Sequence, residues 1–389
     1  MQLSLSSEDR DFADEARTWL AEHLAGDFAR YGGVGGPADD EAWEVRVAWD
    51  RELAAGGWLG LSWPAEYGGR GLSPRHEVIF AIESARANPP YRASVQGLEL
   101  LGPMLLARGS DEQKRRFLPP ILRVEEFWGQ GFSEPGAGSD LASLTTRAWR
   151  EGDDWVLDGQ KTWTTTGNHA DWLYVLARTD AGSARHHGLT MLLVPARQPG
   201  VDIRPIRNLT GAAEFCETFL RGARTAADLA VGEAGGGWGV AMTALGTERG
   251  TSLVAQQMGF GREVARLVEA LGVPAPAVRH RLVDAWIGAR IARWQVLRLM
   301  ETILRDGDPG LRPSVCKVFA SSFHQRFGAL ALDVLGAASQ VTGPGYQLSE
   351  IQRTALACLA ESIYGGTTEI QMNLIAERAL GLPKEGTRR

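Results

Sequence analysis

The chain has 389 residues, 44% hydrophobic and 23% charged, with a formal net charge of −6. That length supports two or three packed units rather than one core, and the mixed charge contains no basic run of the kind that binds nucleic acid or an anionic membrane. No apolar stretch approaches the ~20 residues a bilayer span requires. The N-terminus has no basic segment followed by an apolar one and reads as an amphipathic helix, which implies a cytosolic protein. Cys216, Cys316 and Cys358 lie far apart without any CxxC or Cys/His spacing. This favours reduced, mostly buried thiols over a disulfide or a metal site.

Residues 9–24 carry apolar side chains at Phe12, Ala16, Trp19, Leu20 and Leu24, a helical period. A Gly-rich loop at 32–37 separates them from a second helical segment at 41–55. A turn-rich stretch, 58–73, precedes further helices at 76–87 and 98–108. Ser110-Asp111-Glu112-Gln113 reads as a helix start, a cap followed by an acidic first turn. Beyond Glu125 the composition shifts to short runs of β-branched and aromatic residues. Residues 155–157 and 161–165 flank Asp158-Gly159, which predicts a hairpin there. Residues 173–177, 189–194 and 201–206 predict further strands, and the block as a whole a β-barrel or sandwich of about 100 residues. Gly235-Gly236-Gly237 then opens a second helical region with long helices expected at 238–271, 278–305 and 313–340. Helices, strands and helices in that order predict an α+β chain of three domains, 1–125, 126–233 and 234–389.

The sharpest local signal is Phe132-Ser133-Glu134-Pro135-Gly136-Ala137-Gly138-Ser139-Asp140. A Gly-rich turn with serine hydroxyls and free backbone N–H groups is able to hold a phosphate or the polar edge of a flat ring, although most such loops are plain surface turns. Together with Gly159-Gln160-Lys161-Thr162-Trp163-Thr164-Thr165, this string resembles the acyl-CoA dehydrogenase family. The resemblance extends over almost the whole chain. It includes Trp63-Pro64-Ala65-Glu66-Tyr67-Gly68-Gly69, Glu112 to Ile121, Gly235-Gly236-Gly237-Trp238, and Ile363-Tyr364-Gly365-Gly366-Thr367-Thr368-Glu369-Ile370-Gln371.

The resemblance implies a helical N-terminal domain, a middle β domain and a C-terminal four-helix bundle. It also implies FAD, an acyl-CoA substrate, a homo-oligomer, and an electron-transfer flavoprotein as external acceptor. Gln130, Phe132 and Ser133 are then expected at the flavin edge, some through backbone atoms, and Ser139 near phosphate or the pantetheine arm. Trp163 is expected to pack on the flavin and Thr165 to hydrogen-bond near its reactive nitrogen. The residues themselves agree, since a Trp and several Thr on strand positions make a wall with polar tips; taken alone, one of thirteen tryptophans is more often core. Thr367 and Glu369 are expected on the adenosine side.

Much of the family places its catalytic base directly after the Tyr of the terminal signature, where this chain has Gly365. The subset that includes isovaleryl-CoA dehydrogenase carries the base on a C-terminal-domain helix, and the corresponding residue here is Glu248. On a helix it shares a stripe with Ala241, Leu245, Ser252 and Ala255, surroundings that raise a carboxyl pKa; an ion pair at a subunit contact is the competing reading. Gly365 and Gly366 leave room for their N–H groups to approach the thioester carbonyl, and Thr367 or Thr368 is expected to cap the next helix. Arg249 is expected near substrate or in an interface ion pair. Two departures from the family stand out. The 271–281 segment is shortened and lacks the usual Arg-x-x-Phe-Gly, with Arg279 or Arg281 as possible replacements. Asp333 occupies a position where a carboxylate suits FAD phosphates badly. The expected activity is α,β-desaturation of an acyl thioester. A catalytically silent subunit of a heteromeric dehydrogenase and a carrier-protein-bound substrate remain alternatives.

Overall fold

The computed structural model describes residues 5–33, 41–247, 252–273, 275–307 and 309–384. The helices are α1 (Ser7–His23), α2 (Asp27–Arg30), α3 (Trp43–Ala55), α4 (Pro74–Ala87), α5 (Gly102–Arg108) and α6 (Asp111–Leu122), then α7 (Gly237–Thr247), α8 (Ser252–Leu271), α9 (Pro276–Asp306), α10 (Arg312–Leu335), α11 (Glu350–Ala357) and α12 (Thr368–Leu374). Between the two sets lie strands β1 (Trp128–Gly131), β2 (Arg147–Glu151), β3 (Asp154–Thr165), β4 (Trp172–Arg178), β5 (Leu189–Pro195), β6 (Val201–Ile206), β7 (Phe215–Ala226) and β8 (Ala230–Val231). Helical regions flank a sheet, as the α+β reading expects. The chain forms two compact units that do not follow chain order. One comprises residues 25–74 and 89–248, the other 1–24, 75–88 and 249–389.

The first unit is built on an eight-stranded sheet of order β6-β7-β3-β2-β4-β5-β8, with β1 joined in parallel to β4. β4 is buried on both faces. Leu173, Val175 and Ala177 pack with Leu192, Val194, Leu157 and Leu220 on one side, each fully buried Leu or Val contributing about 1.5–3 kcal/mol. On the other side Tyr174 meets Phe132 edge-on at 5.7 Å and donates its hydroxyl to Gln96 Oε1 at 2.6 Å. The Ser110 start is realised as a reciprocal capping box with Gln113. Gln113 Nε2 also donates to the carbonyls of Asp228 and Ala230, so one side chain caps a helix and ties it beside β8.

The hairpin expected at Asp158-Gly159 is absent: β3 runs unbroken through both residues. The turn falls earlier, where Glu151 pairs with Asp154 across Gly152 at φ +62°. Gly159 is needed for a different reason, because a Cβ there would lie 2.4 Å from Thr146 Oγ1. A close approach by the segment that enters β2 accounts for the glycine that reads locally as a turn.

The second unit is helical. Phe260, Val264 and Leu267 of α8 pack with Ala285, Ala289 and Ala292 of α9 and with Ala320, Phe323 and Phe327 of α10. The alanine stripe on α9, extended by Gly288, lets the Phe323 ring approach closely; a Cβ at Gly288 would lie 2.5 Å from it. Helix α4 joins this unit through Val78, Ile82 and Ala85, against Val254, Met258, Val296 and Met300. α1 is tied in by the Asp9–Arg75 ion pair, 2.7 Å. α10 ends at Leu335 rather than continuing to 340, since Gly336 at φ +55° turns the chain into a short 3₁₀ segment. Among the described residues no helix is long and apolar enough to cross a membrane.

Candidate active site

Strand β3 carries the first candidate side chains. Its register with β7 runs Lys161↔Thr218 and then Thr164↔Cys216, so three steps on β3 match two on β7. The extra residue makes a bulge, which re-aims a side chain. Trp163 sits in it at φ +58° and is 56% exposed. Bulky residues adopt this backbone region rarely and at a cost of about 1–3 kcal/mol, a signature of functional constraint. Its neighbours Lys161, Thr164 and Thr166 are buried, so the bulge turns one indole out of an otherwise inward-packed run. Phe215 meets that indole edge-on at 5.9 Å.

The expected flavin loop is held by a buried ion pair. Glu134 and Ala137 exchange backbone hydrogen bonds of 3.0 Å across Pro135-Gly136. The Glu134 carboxylate accepts from Thr145 N (2.7 Å), Thr145 Oγ1 (2.8 Å) and Thr146 N (2.8 Å), and from Lys161 Nζ at 2.9 Å. Lys161 Nζ also donates to the Phe132 carbonyl at 3.0 Å, and Thr162 N to the Ser133 carbonyl at 2.9 Å. Burial works against the Glu134 charge, but Lys161 and the Thr145–Thr146 donors hold its pKa at about 2. Burial lowers Lys161 to about 8 against the pull of Glu134. Both groups are therefore charged at neutral pH.

Around this locked frame a second set of polar groups is uncommitted. Gln130 and Ser133 are half-buried, Thr165 likewise, and Ser139 is exposed. Their side chains and the Trp163 indole make no hydrogen bond among the described residues. By contrast Thr164 accepts from Thr218 and Thr166 donates to the Trp128 carbonyl. Phe132 is buried against Tyr174, so its contribution to a ligand is limited to its backbone. An outward indole with free amide and hydroxyl tips beside it fits a flat heteroaromatic cofactor with hydrogen-bonding edges, and so fits a flavin. Added Cβ atoms at Gly136 and Gly138 meet nothing within 4 Å, so the loop's outer side is open.

Beside Ser139 lies a cavity of about 460 Å³ lined by Asp140, Ser143, Thr145, Arg147, Arg178 and Arg185 among others. Arg178 shapes it. Its guanidinium donates to the carbonyls of Ala142 (3.0 Å), His187 (3.1 Å) and Arg185 (3.2 Å) and to Ser183 Oγ (3.0 Å), which clamps the 181–188 loop.

The helical unit carries the terminal signature. Gly365 and Gly366 have φ of +64° and +85°, a conformation that glycine adopts without strain. Thr367 caps α12, its hydroxyl accepting from Ile370 N at 3.2 Å, and Glu369 is exposed on the first turn. Arg281 forms an ion pair with Asp333, so the carboxylate that departs from the family pattern is answered by the arginine of the shortened segment. Glu248 and Arg249 lie outside the described residues.

The sequence reading missed Glu134, Lys161 and Arg178 as supports of the site. Their signal was a single acid in a glycine loop and single cations in strand segments. Only pairing across the fold shows that they belong together.

The chain matches the descriptions "Acyl-CoA dehydrogenase, N-terminal domain" over residues 6–125, "middle domain" over 129–222 and "C-terminal domain" over 235–380. It is 50% identical over 380 residues to the acyl-CoA dehydrogenase IpdE1 of Mycobacterium tuberculosis, covering 96% of this chain and 98% of that protein. A protein of the same name from Mycolicibacterium smegmatis is 47% identical over 393 residues, 97% and 99% of the two chains. Among solved structures, the Tcur3481–Tcur3483 steroid ACAD superposes with a TM-score of 0.84 at 28% identity, covering 99% of this chain and 100% of that one. The ChsE4–ChsE5 complex of M. tuberculosis gives 0.81 at 30%, with the same coverage.

Proposed function

This chain belongs to the acyl-CoA dehydrogenase family, and we propose that it binds FAD non-covalently and desaturates the Cα–Cβ bond of a steroid-derived acyl-CoA. The β3 bulge carries the cofactor assignment: a strained, outward Trp163 flanked by the free polar tips of Gln130, Ser133 and Thr165. The steroid assignment rests on the named substrate class of the Tcur3481–Tcur3483 structure. Arg147 and Arg185 in the lining of the cavity next to Ser139 support CoA over a carrier-protein arm, since guanidinium groups answer the additional phosphates of a nucleotide.

The chain's residues have distinct roles in this reading. Glu248 takes the α-proton of the thioester. The Gly365 and Gly366 amides donate to the thioester carbonyl as negative charge develops on it, a contribution of the oxyanion-hole kind. Ser139 contacts the pantetheine arm or a phosphate, and Arg249 lies near substrate. Gln130, Phe132, Ser133, Trp163 and Thr165 hold the flavin ring, and Thr367 and Glu369 serve the adenosine half. Bound there, FAD supplies the acceptor for the hydride equivalent that leaves Cβ. The external acceptor is an electron-transfer flavoprotein.

The protein works as an oligomer. On α9, Val283, Trp286, Ile287, Ile291 and Trp294 form an exposed apolar stripe, and the Arg290 guanidinium lies over both indoles. A second reading, a subunit paired with a homologous chain, draws on the two-component names of the similar structures.

The test is purification followed by an absorbance spectrum and titration with a panel of acyl-CoAs that includes steroid side-chain thioesters. A yellow protein that releases FAD on denaturation and is bleached by such a thioester is the expected result. Replacement of Glu248 by Gln should then slow bleaching ~10²–10⁴-fold with FAD retained. A colourless protein that takes up no FAD would overturn the cofactor assignment, and bleaching only in the presence of a homologous chain would favour the second reading.

A further inference from the structure

The Gly365-Gly366 turn is gripped from below by side chains that neither the sequence pattern nor the family assignment singles out. Lys317 Nζ donates to the Gly366 carbonyl at 2.6 Å. Gln371 Nε2, on a side chain that is 1% exposed, donates to the Gly365 carbonyl at 3.1 Å. No peptide bond described is cis, and in a planar trans peptide the C=O and the following N–H point in opposite directions. With both carbonyls drawn toward Lys317 and Gln371, the amides of Gly366 and Thr367 are turned to the other side. Those two amides have no acceptor among the described residues.

The chain leading into the turn is anchored as well. Glu361 accepts from Gln256 Nε2 at 2.9 Å and lies 2.7 Å from His324 Nδ1. Gln325 Nε2 donates to the Leu359 carbonyl (3.1 Å) and to Ser362 Oγ (2.9 Å). Lys317, His324 and Gln325 stand seven and eight positions apart on α10, which places them on one face of the helix. A single helix face thus templates residues 359–366, and the two glycines supply the backbone conformations that the grip requires. A Cβ at Gly366 would lie 2.6 Å from Gln371 Nε2 and push the grip apart.

We propose that Lys317 and Gln371 are positioning residues: Gln371 fixes the Gly365-Gly366 peptide plane and Lys317 the plane that follows, and together they aim the Gly366 amide at the thioester carbonyl. The proposal rests on the dehydrogenase reading above. Neither side chain touches substrate; each acts through the backbone carbonyl it holds.

The test compares wild type with Lys317→Met, Lys317→Arg and Gln371→Leu. The first readout needs neither substrate nor catalysis: amide hydrogen exchange over residues 358–368. The Met and Leu variants should exchange at least about threefold faster there, and the Arg variant close to wild type. The second is the rate of flavin reduction at saturating acyl-CoA, set beside the dissociation constant of that acyl-CoA. Losing one oxyanion donor costs ~10²–10³ in rate, and a donor left mis-aimed rather than removed should cost ~10–100-fold, with affinity changed less than about threefold and flavin content unchanged. Lys317→Arg should recover most of the rate. Unchanged exchange in both Met and Leu variants overturns the proposal, as does a wild-type rate of reduction in a variant whose turn has loosened. A rate loss that only tracks lost flavin or a lowered melting temperature overturns it too. If no acyl-CoA reduces the wild-type flavin, the dehydrogenase reading falls and takes the proposal with it, a result distinct from an active wild type with indifferent variants.

Discussion

Replacing Lys161 with Met is the most direct perturbation of the frame that holds the proposed flavin loop. The ammonium is fully buried, bonded to Glu134 at 2.9 Å and to the Phe132 carbonyl at 3.0 Å. The carboxylate gains from the pair, held at about 2, and the ammonium loses, lowered to about 8. Desolvation of both charges offsets most of their attraction, so the intact pair contributes little net. Removing one charge is different. Glu134, 6% exposed, would keep only its Thr145 and Thr146 donors, and an uncompensated buried charge of this kind costs about 3–5 kcal/mol. At about 2–4 °C per kcal/mol for a unit of this size, Tm should fall by roughly 6–20 °C. The double variant Lys161→Met with Glu134→Gln removes the orphaned charge and should recover part of that loss. The assay is thermal melting of the wild type, both single variants and the double, with flavin content measured in parallel, because Lys161 also holds the loop at Phe132. A Lys161→Met protein within about 1 kcal/mol of wild type, or single losses that simply add in the double, would refute the reasoning.

Other expectations follow from the same geometry. Trp163→Ala should lower FAD retention on dilution while shifting stability by no more than about 0.5 kcal/mol, since an exposed side chain contributes little to packing; equilibrium dialysis with melting curves checks both. Stability should fall at both pH extremes. The Glu134 contribution is present above its ordinary value of 4.5 and disappears as pH drops toward about 2. Burial disfavours the charged form of His324, but the carboxylates of Glu263 and Glu361 raise its pKa to about 10. Its contribution is therefore complete below pH 6.5 and lost as pH rises through about 10, so His324→Gln should flatten the alkaline side of a stability profile. Trp286→Glu with Trp294→Glu should lower the mass seen by light scattering, whereas the same mass as wild type would remove α9 from the subunit contact.

Much of the local architecture was legible because it is written in neighbouring residues. Ser110 with Gln113 closes a reciprocal capping box at a helix start. The apolar period of residues 9–24 matches the buried set Phe12, Ala16 and Leu20 on α1. The strands at 173–177, 189–194 and 201–206 are in place. Asp158-Gly159 was misread because the residue that demands the glycine, Thr146, approaches from the segment that enters β2 and leaves no local trace. The same limit applies to Trp163. Its type and its neighbours suggested a cofactor wall, but a regular alternation of residues 161–166 does not reveal that an extra residue in the ladder turns the indole outward.

The sequence by itself determined the family and the helix–strand–helix order, since these depend on residue type and short-range spacing. Tertiary structure alone decided which supports the contacts have. Glu134 finds Lys161, Arg178 gathers the carbonyls of the 181–188 loop, Lys317 reaches Gly366, and α4 leaves its sequence neighbours for α8 and α9. Each of these groups is wholly or partly buried, and apart from the Arg178 contacts to its own loop the partner is remote in the chain. Desolvation makes such a group costly or unproductive alone and favourable once paired, and residue spacing carries no record of which remote partner satisfies it.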